Sequence, residues 1–165
     1  MPEVALPLTV RDLTTDDLPV VTSWAGVGPR EAPERMERGE VDYLAVCPPS
    51  GVPVALGGAI YNEIPGAGTL WQLSVHPALR SCGIGTILIG ALEQRIRARG
   101  LRRAELGVDE PNVRARALYE RLGYVAYGRD SSTWDQVADD GSSATVTMMY
   151  TLMRKDLASG ETGHV

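Results

Sequence analysis

Hydrophobic and polar positions change their period several times along the chain, and each change marks an element. Leu8 to Asp12 is a short apolar and polar alternation that predicts a strand. Thr14 or Thr15 then caps a helix, with Asp16 and Asp17 in a first turn where acids complement the helix dipole. Gly28 to Glu40 is polar and acidic and holds Pro29 and Pro33, which predicts a loop with a short surface helix. Three strands follow: Tyr43 to Cys47, Val54 to Asn62 and Thr69 to Val75, joined by the turn sequences Pro-Pro-Ser-Gly and Ile-Pro-Gly-Ala-Gly. The clearest helix runs from Ile84 to Arg99. Its apolar positions Ile84, Ile87, Leu88, Ala91, Leu92 and Ile96 recur at spacings of three and four, and Gly100 stops it.

Arg102 to Asp109 predicts a fifth strand, and Asn112 to Gly123 a second amphipathic helix with Ala115, Leu118, Tyr119 and Leu122 on one face. Tyr124 to Gly128 and Ala144 to Arg154 predict closing strands, paired antiparallel. The acidic, Ser- and Gly-rich stretch between them predicts a mobile loop, and residues 158–165 a flexible tail. Arg95, Arg97, Arg99, Arg102 and Arg103 read as a solvated face.

Composition narrows the class. A chain of 165 residues, 44% of them hydrophobic, suits one domain over residues 1–157 with a real core. Phe is absent, so that core rests on Leu, Ile, Val and Ala. A net charge of -5 argues against a nucleic-acid binder, which needs a basic face. Two cysteines, Cys47 and Cys82, and two histidines, His76 and His164, have no metal-ligand spacing, so no metal is expected. The N-terminal sequence lacks a basic region followed by an apolar one, and no apolar run reaches the length of a membrane span. The expected location is the cytoplasm, with no membrane partner.

One stretch breaks the helical rule. Gly83 and Gly85 sit where the Ile84 helix opens, directly after a strand and Arg80. A strand, a glycine-rich turn and a helix form a place for an anion, because the first helical N–H groups have no internal partner and the dipole makes that end positive. A tight turn needing φ > 0 accounts for the glycines equally well. No lysine follows to make a Walker loop, and Gly90 lies too far on for a dinucleotide fingerprint.

The run Val75-His-Pro-Ala-Leu-Arg80-Ser-Cys-Gly83-Ile-Gly85-Thr resembles the cofactor motif of the GCN5-related N-acetyltransferases, Gln/Arg-x-x-Gly-x-Gly/Ala. A second block, Asn112-x-x-Ala115-x-x-Leu118-Tyr119-x-x-x-Gly123-Tyr124, resembles the same family's Asn-x-x-Ala-x-x-Leu-Tyr segment. The resemblance spans Leu8 to Leu157. It implies an α/β (α+β) fold: a central mixed, mostly antiparallel sheet of about seven strands flanked by about four helices, splayed between strands 4 and 5. It implies acetyl-CoA as acyl donor, its pyrophosphate on Arg80, Ser81, Cys82, Gly83, Ile84, Gly85 and Thr86. It places the pantetheine arm along Leu73, Ser74 and Val75, with Asn112 touching the cofactor. Asn112 is equally suited to capping its helix. Tyr119 is implied as the acid that protonates the departing thiolate; otherwise it is a core aromatic.

A primary amine with a pKa near ~10 must lose a proton before it attacks. The family's glutamates fall here on Thr69 and Gly107, a departure from the pattern. Glu105 is the first candidate base, with a salt bridge to a nearby arginine as its structural alternative, and a chain of waters reaching the surface serves as well as any single carboxylate. Gln72 could position a water, and Glu63, Asp109 and Glu110 sit at strand ends. Cys82 reads as a small loop residue. The resulting expectation is an N-acyltransferase acting on a primary amine by direct attack in a ternary complex. The alternative is a non-catalytic CoA-sensing or partner-binding module. The acceptor side, Gly28 to Glu40 and Asp130 to Ser143, suits a polyamine, an antibiotic amine, an amino acid or a protein N-terminus. Asp130, Asp135, Asp139, Asp140 and Trp134 could line its entrance, and a homodimer is compatible with the family.

Overall fold

The computed structural model describes residues 7–26 and 28–157, and the chain divides into two compact units at residue 104, with Leu157 belonging to the first. Residues 158–165, expected to form the tail, lie outside the described residues.

The first unit contains β1 (Thr9–Asp12), α1 (Leu18–Ala25), α2 (Ala32–Glu37), β2 (Val41–Cys47), β3 (Ala55–Ile60), β4 (Ala67–Val75) and α3 (Ile84–Ala98). A 3-10 turn over Thr15–Asp17 precedes α1, with Thr14 and Asp17 forming a capping box. Asp17 also takes two hydrogen bonds from Arg11, at 2.7 and 2.8 Å, which together hold its carboxyl below the usual carboxylate range. β1 to β4 form an antiparallel meander, with Thr9 opposite Cys47, Val41 opposite Ile60 and Ile60 opposite Thr69.

The strands are apolar on both faces because both faces are covered. Tyr43, Ala45, Cys47 and Leu56 share a cluster with Val21 of α1 and Ala32 of α2. Strand alternation turns Leu44 and Val46 to the other face, and α3 packs on β2, β3 and β4, burying Leu88, Leu92 and Ile96. That helix comes close because Gly68 has no side chain; a Cβ there would stand 2.5 Å from Ile96 Cγ1. Two arginines expected to be solvated are instead held. Arg95 donates to Asp12 at 2.7 Å and Asp42 at 3.3 Å, and the Arg99 guanidinium lies 3.7 Å over the Tyr61 ring.

The second unit takes β5 (Arg103–Asp109) from Glu105 onward, then α4 (Val113–Arg121), β6 (Val125–Val137) and β7 (Ser143–Asp156), with β7 between β5 and β6. Ala115, Leu118, Tyr119 and Leu122 form the less exposed face of α4, as their spacing predicts. β6 and β7 pair from Val125 opposite Arg154 to Val137 opposite Ser143. The stretch expected to be a mobile loop is therefore mostly strand, and the turn is confined to residues 138–142. Cross-strand polar pairs explain it: Thr133 meets the Thr147 hydroxyl at 3.2 Å and Thr145 donates to Asp135 at 3.1 Å. Among the described residues no helix is long and apolar enough to cross a membrane.

Candidate active site

The glycine turn follows β4 directly. His76 accepts a bond from Ala78 N at 3.1 Å and opens a short 3-10 turn, Pro77–Leu79. Arg80 Nε donates back to the Val75 carbonyl at 3.3 Å. Ser81 (φ 67°) and Gly83 (φ 83°) are left-handed, and Gly83 is the N-cap of α3. A Cβ at Gly83 would meet nothing within 4 Å, so glycine serves its backbone angle there and not a steric need. The N-cap is a glycine, which offers no side chain to the first-turn N–H groups of Ile84, Gly85 and Thr86, and a helix start of this kind suits an anion. The turn from Arg80 to Gly83 is exposed, and Cys82 adds only an exposed thiol 3.7 Å from the Arg80 carbonyl.

Just upstream β4 carries a bulge that the sequence pattern did not disclose. Leu56 pairs with Ser74 but Gly58 with Trp71, so Gly57 alone faces both Gln72 and Leu73. Gln72 takes a φ of 54°, rare for a residue with a side chain. The bulge interrupts the ladder ahead of Leu73 to Val75, the stretch expected to pair with a pantetheine arm. Further up the strand, Thr69 holds a buried hydroxyl with no partner among the described residues.

The second unit places the remaining candidates. Asn112 Oδ1 accepts from Ala115 N at 3.1 Å, so its oxygen caps α4. Asn112→Ala is expected to lower stability by about 1 kcal/mol, measured by urea unfolding. Tyr119 is half-buried on α4, its ring 6.1 Å from that of Tyr124. Burial first, and the Asp109 charge second, push its phenol above the ordinary tyrosine value. Glu105 is only 4% exposed, and its carboxylate accepts the Tyr127 hydroxyl. Sequence reasoning missed Tyr127, which lies 22 residues away in the chain and on the outer strand. Glu110 is clamped by Arg129 at 2.6 and 3.0 Å, which holds its carboxyl low and makes it a poor base. At Gly107 a Cβ would rest 3.7 Å from Tyr150 and Leu152, so a larger residue there is excluded by neither contact.

The acetyltransferase (GNAT) family matches the chain over residues 10–124, a span that contains both motif blocks. The chain belongs to this family. Solved structures agree on the GNAT fold. The ribosomal-protein-S18-alanine N-acetyltransferase of Escherichia coli is 20% identical with a TM-score of 0.71, covering 96% of this chain and 100% of that one. A spermidine N-acetyltransferase from Vibrio cholerae, solved in complex with CoA and spermine, is 16% identical with a TM-score of 0.71, covering 92% and 96%. An IAA acetyltransferase from Bacillus cereus is 14% identical with a TM-score of 0.67, covering 92% and 100%. No match was found among the curated proteins. The matched span of this GNAT-family chain holds both the glycine turn and the helix that carries Asn112 and Tyr119.

Proposed function

We propose that this GNAT-family chain is an N-acetyltransferase that moves an acetyl group from acetyl-CoA to a primary amine by direct attack in a ternary complex. The observation that carries the reading is the start of α3 on a glycine N-cap, in a turn where Ser81 and Gly83 are both left-handed. In this reading Arg80 to Thr86 hold the pyrophosphate, and Leu73 to Val75 hold the pantetheine arm. Acetyl-CoA supplies the activated thioester. Backbone N–H groups of the strand β4 polarise its carbonyl. The amine nitrogen bonds to the carbonyl carbon and its proton passes to a base. Glu105 fills that role, the Tyr127 hydroxyl linking its buried carboxylate outward. As the carbon–sulfur bond breaks, Tyr119 gives its proton to the thiolate and regains one from solvent. Asn112 supports this site through its helix cap. Residues 1–157 act as one catalytic domain, working in the cytoplasm on a small-molecule or peptide amine. The V. cholerae and E. coli relatives carry amine acceptors in their names, which supports that substrate class.

The absence of carboxylates at Thr69 and Gly107 favours a second reading, a CoA-sensing module without turnover. Two measurements separate the possibilities. Acetyl-CoA at a hundred times its Kd adds about 2.7 kcal/mol, which for a chain of this size raises Tm by roughly 5–10 °C. ATP and NAD give no such rise. Amine-dependent thiol release from acetyl-CoA then marks an enzyme, whereas a Tm rise without release marks the sensor. No rise with acetyl-CoA overturns both.

A further inference from the structure

β6 and β7 pair without a slip from Gly128 opposite Leu152 to Val137 opposite Ser143. Two bonds fix which way the β6 backbone faces. Glu110 N–H donates to the Met149 carbonyl at 3.0 Å, so Met149 turns its backbone groups away from β6. Ser131 stands opposite Met149 and therefore turns its own groups away from β7. Ala138 N–H donates to the Ser142 carbonyl at 2.8 Å, which puts the even positions on the β7 side. Arg129, Ser131, Thr133, Asp135 and Val137 thus present N–H and C=O groups to the open edge. Every residue from Arg129 to Val137 is exposed. β5 ends at Asp109, level with Met149, and toward its turn the ribbon continues as two strands. Two strands alone are marginal in water, whereas a wider sheet is not.

We propose that the open edge of β6 pairs antiparallel with the same edge of a second copy of this chain, centred on Ser132, to give a closed dimer. The two-fold sets Ser131 opposite Thr133, Asp130 opposite Trp134 and Arg129 opposite Asp135, each contact twice. Arg129 and Asp135 lie on one face and carry opposite charges. Glu110 holds Arg129 Nε and Nη2 at 2.6 and 3.0 Å, which leaves Nη1 to donate to Asp135 of the second copy. Asp135 Oδ1 accepts from Thr145 at 3.1 Å, and Oδ2 receives the arginine. Asp130 Oδ1 accepts the Ser131 N–H at 2.8 Å. Pairing passes that donor to the Thr133 carbonyl of the second copy, and the Asp130 carboxylate turns to the indole N–H of its exposed Trp134. This register spans the regular length of β6, between the irregularity at Ala126 and Gly128 and the turn at 138–142. Pairing centred on Asp130 or Asp135 instead sets a carboxylate against its own copy, and the remaining registers part Arg129 from Asp135. A two-fold uses both edges and leaves neither open.

Sedimentation velocity of the full chain over about 1–100 μM tests the dimer. Wild type is expected to pass from monomer to dimer in that range and to go no further. Thr133→Pro removes an outward donor and no bond to β7, so it is expected to hold its Tm within a few degrees and to lose the dimer. Asp135→Arg and Arg129→Asp each set like charges against one another twice, and are expected to weaken self-association about tenfold or more. An equal mixture of these two variants sets opposite charges together at both places and is expected to regain the dimer. A wild type that stays monomeric at about 100 μM overturns the inference. So does a dimer that survives Thr133→Pro, or a mixture that associates no more tightly than its components. None of these readouts depends on acetyl-CoA or thiol release, so the dimer stands or falls apart from the catalytic reading.

Discussion

Replacing Tyr119 by phenylalanine is expected to lower kcat by about 10²-fold or more, while acetyl-CoA affinity stays within about twofold. The ring remains against Tyr124 and on the half-buried face of α4, so packing is conserved. Only the proton donor is lost. The direction of its titration supports the role. Burial and the neighbouring Asp109 both disfavour the phenolate, so the folded-state pKa lies above the ordinary value. The acid form therefore persists as pH rises, and loss of this donor contributes no fall in kcat below about pH 10. Steady-state kinetics over pH 6–10 (roughly the span in which the phenol should hold its proton), with acetyl-CoA titrated by calorimetry, checks both points. Equal losses of turnover and of affinity would assign Tyr119 to packing.

The second large effect is expected at Gly83. A Cβ at this position meets no atom within 4 Å, so the expected defect of valine comes from the backbone. A β-branched residue resists a φ of 83°. Two outcomes are open to the chain: it accepts strain of about 1–2 kcal/mol, or it flips the turn and redirects the N–H groups of Ile84 to Thr86. The second ruins an anion cradle while sparing the α3 face that packs on the sheet. Gly83→Val is therefore expected to weaken acetyl-CoA binding at least tenfold and to abolish most of the acetyl-CoA-dependent rise in Tm. The ligand-free Tm should drop by only a few degrees, since about 1–2 kcal/mol is at stake. Unchanged affinity would remove the turn from the binding site.

These two positions were legible in the sequence because their signals are local. A left-handed glycine before an apolar period, and a tyrosine within a helical face, announce themselves over a few residues. The same holds for Asn112 as a cap, and for both long helices. What escaped depends on distant partners. Arg95 resembles any other polar helix position until the fold brings it Asp42, 53 residues away, and Asp12, 83 away. Trp71-Gln72-Leu73 reads as ordinary alternation, because a bulge is a mismatch between two strands and leaves no mark in one. The segment after Arg129 was misread for another reason. Strand periodicity is sought as one apolar and one polar face, yet here polar residues occupy much of both β6 faces. Glu105 was identified as a candidate, but its Tyr127 donor was not, since the contact crosses the width of β7.

The long β6–β7 ribbon has a consequence for how the protein behaves in crowded solution. Among the described strands β6 pairs with β7 alone, so its outer edge is a row of open backbone groups. Such an edge is a template on which another chain can grow, and exposed Val125 and Val137 would favour it. The irregular pairing between Ala126 and Gly128, followed by Arg129, Asp130 and Asp135, works against that growth by twisting the edge and charging it. The polar residues that hid this strand from sequence reading thus act as its guard against fibre formation.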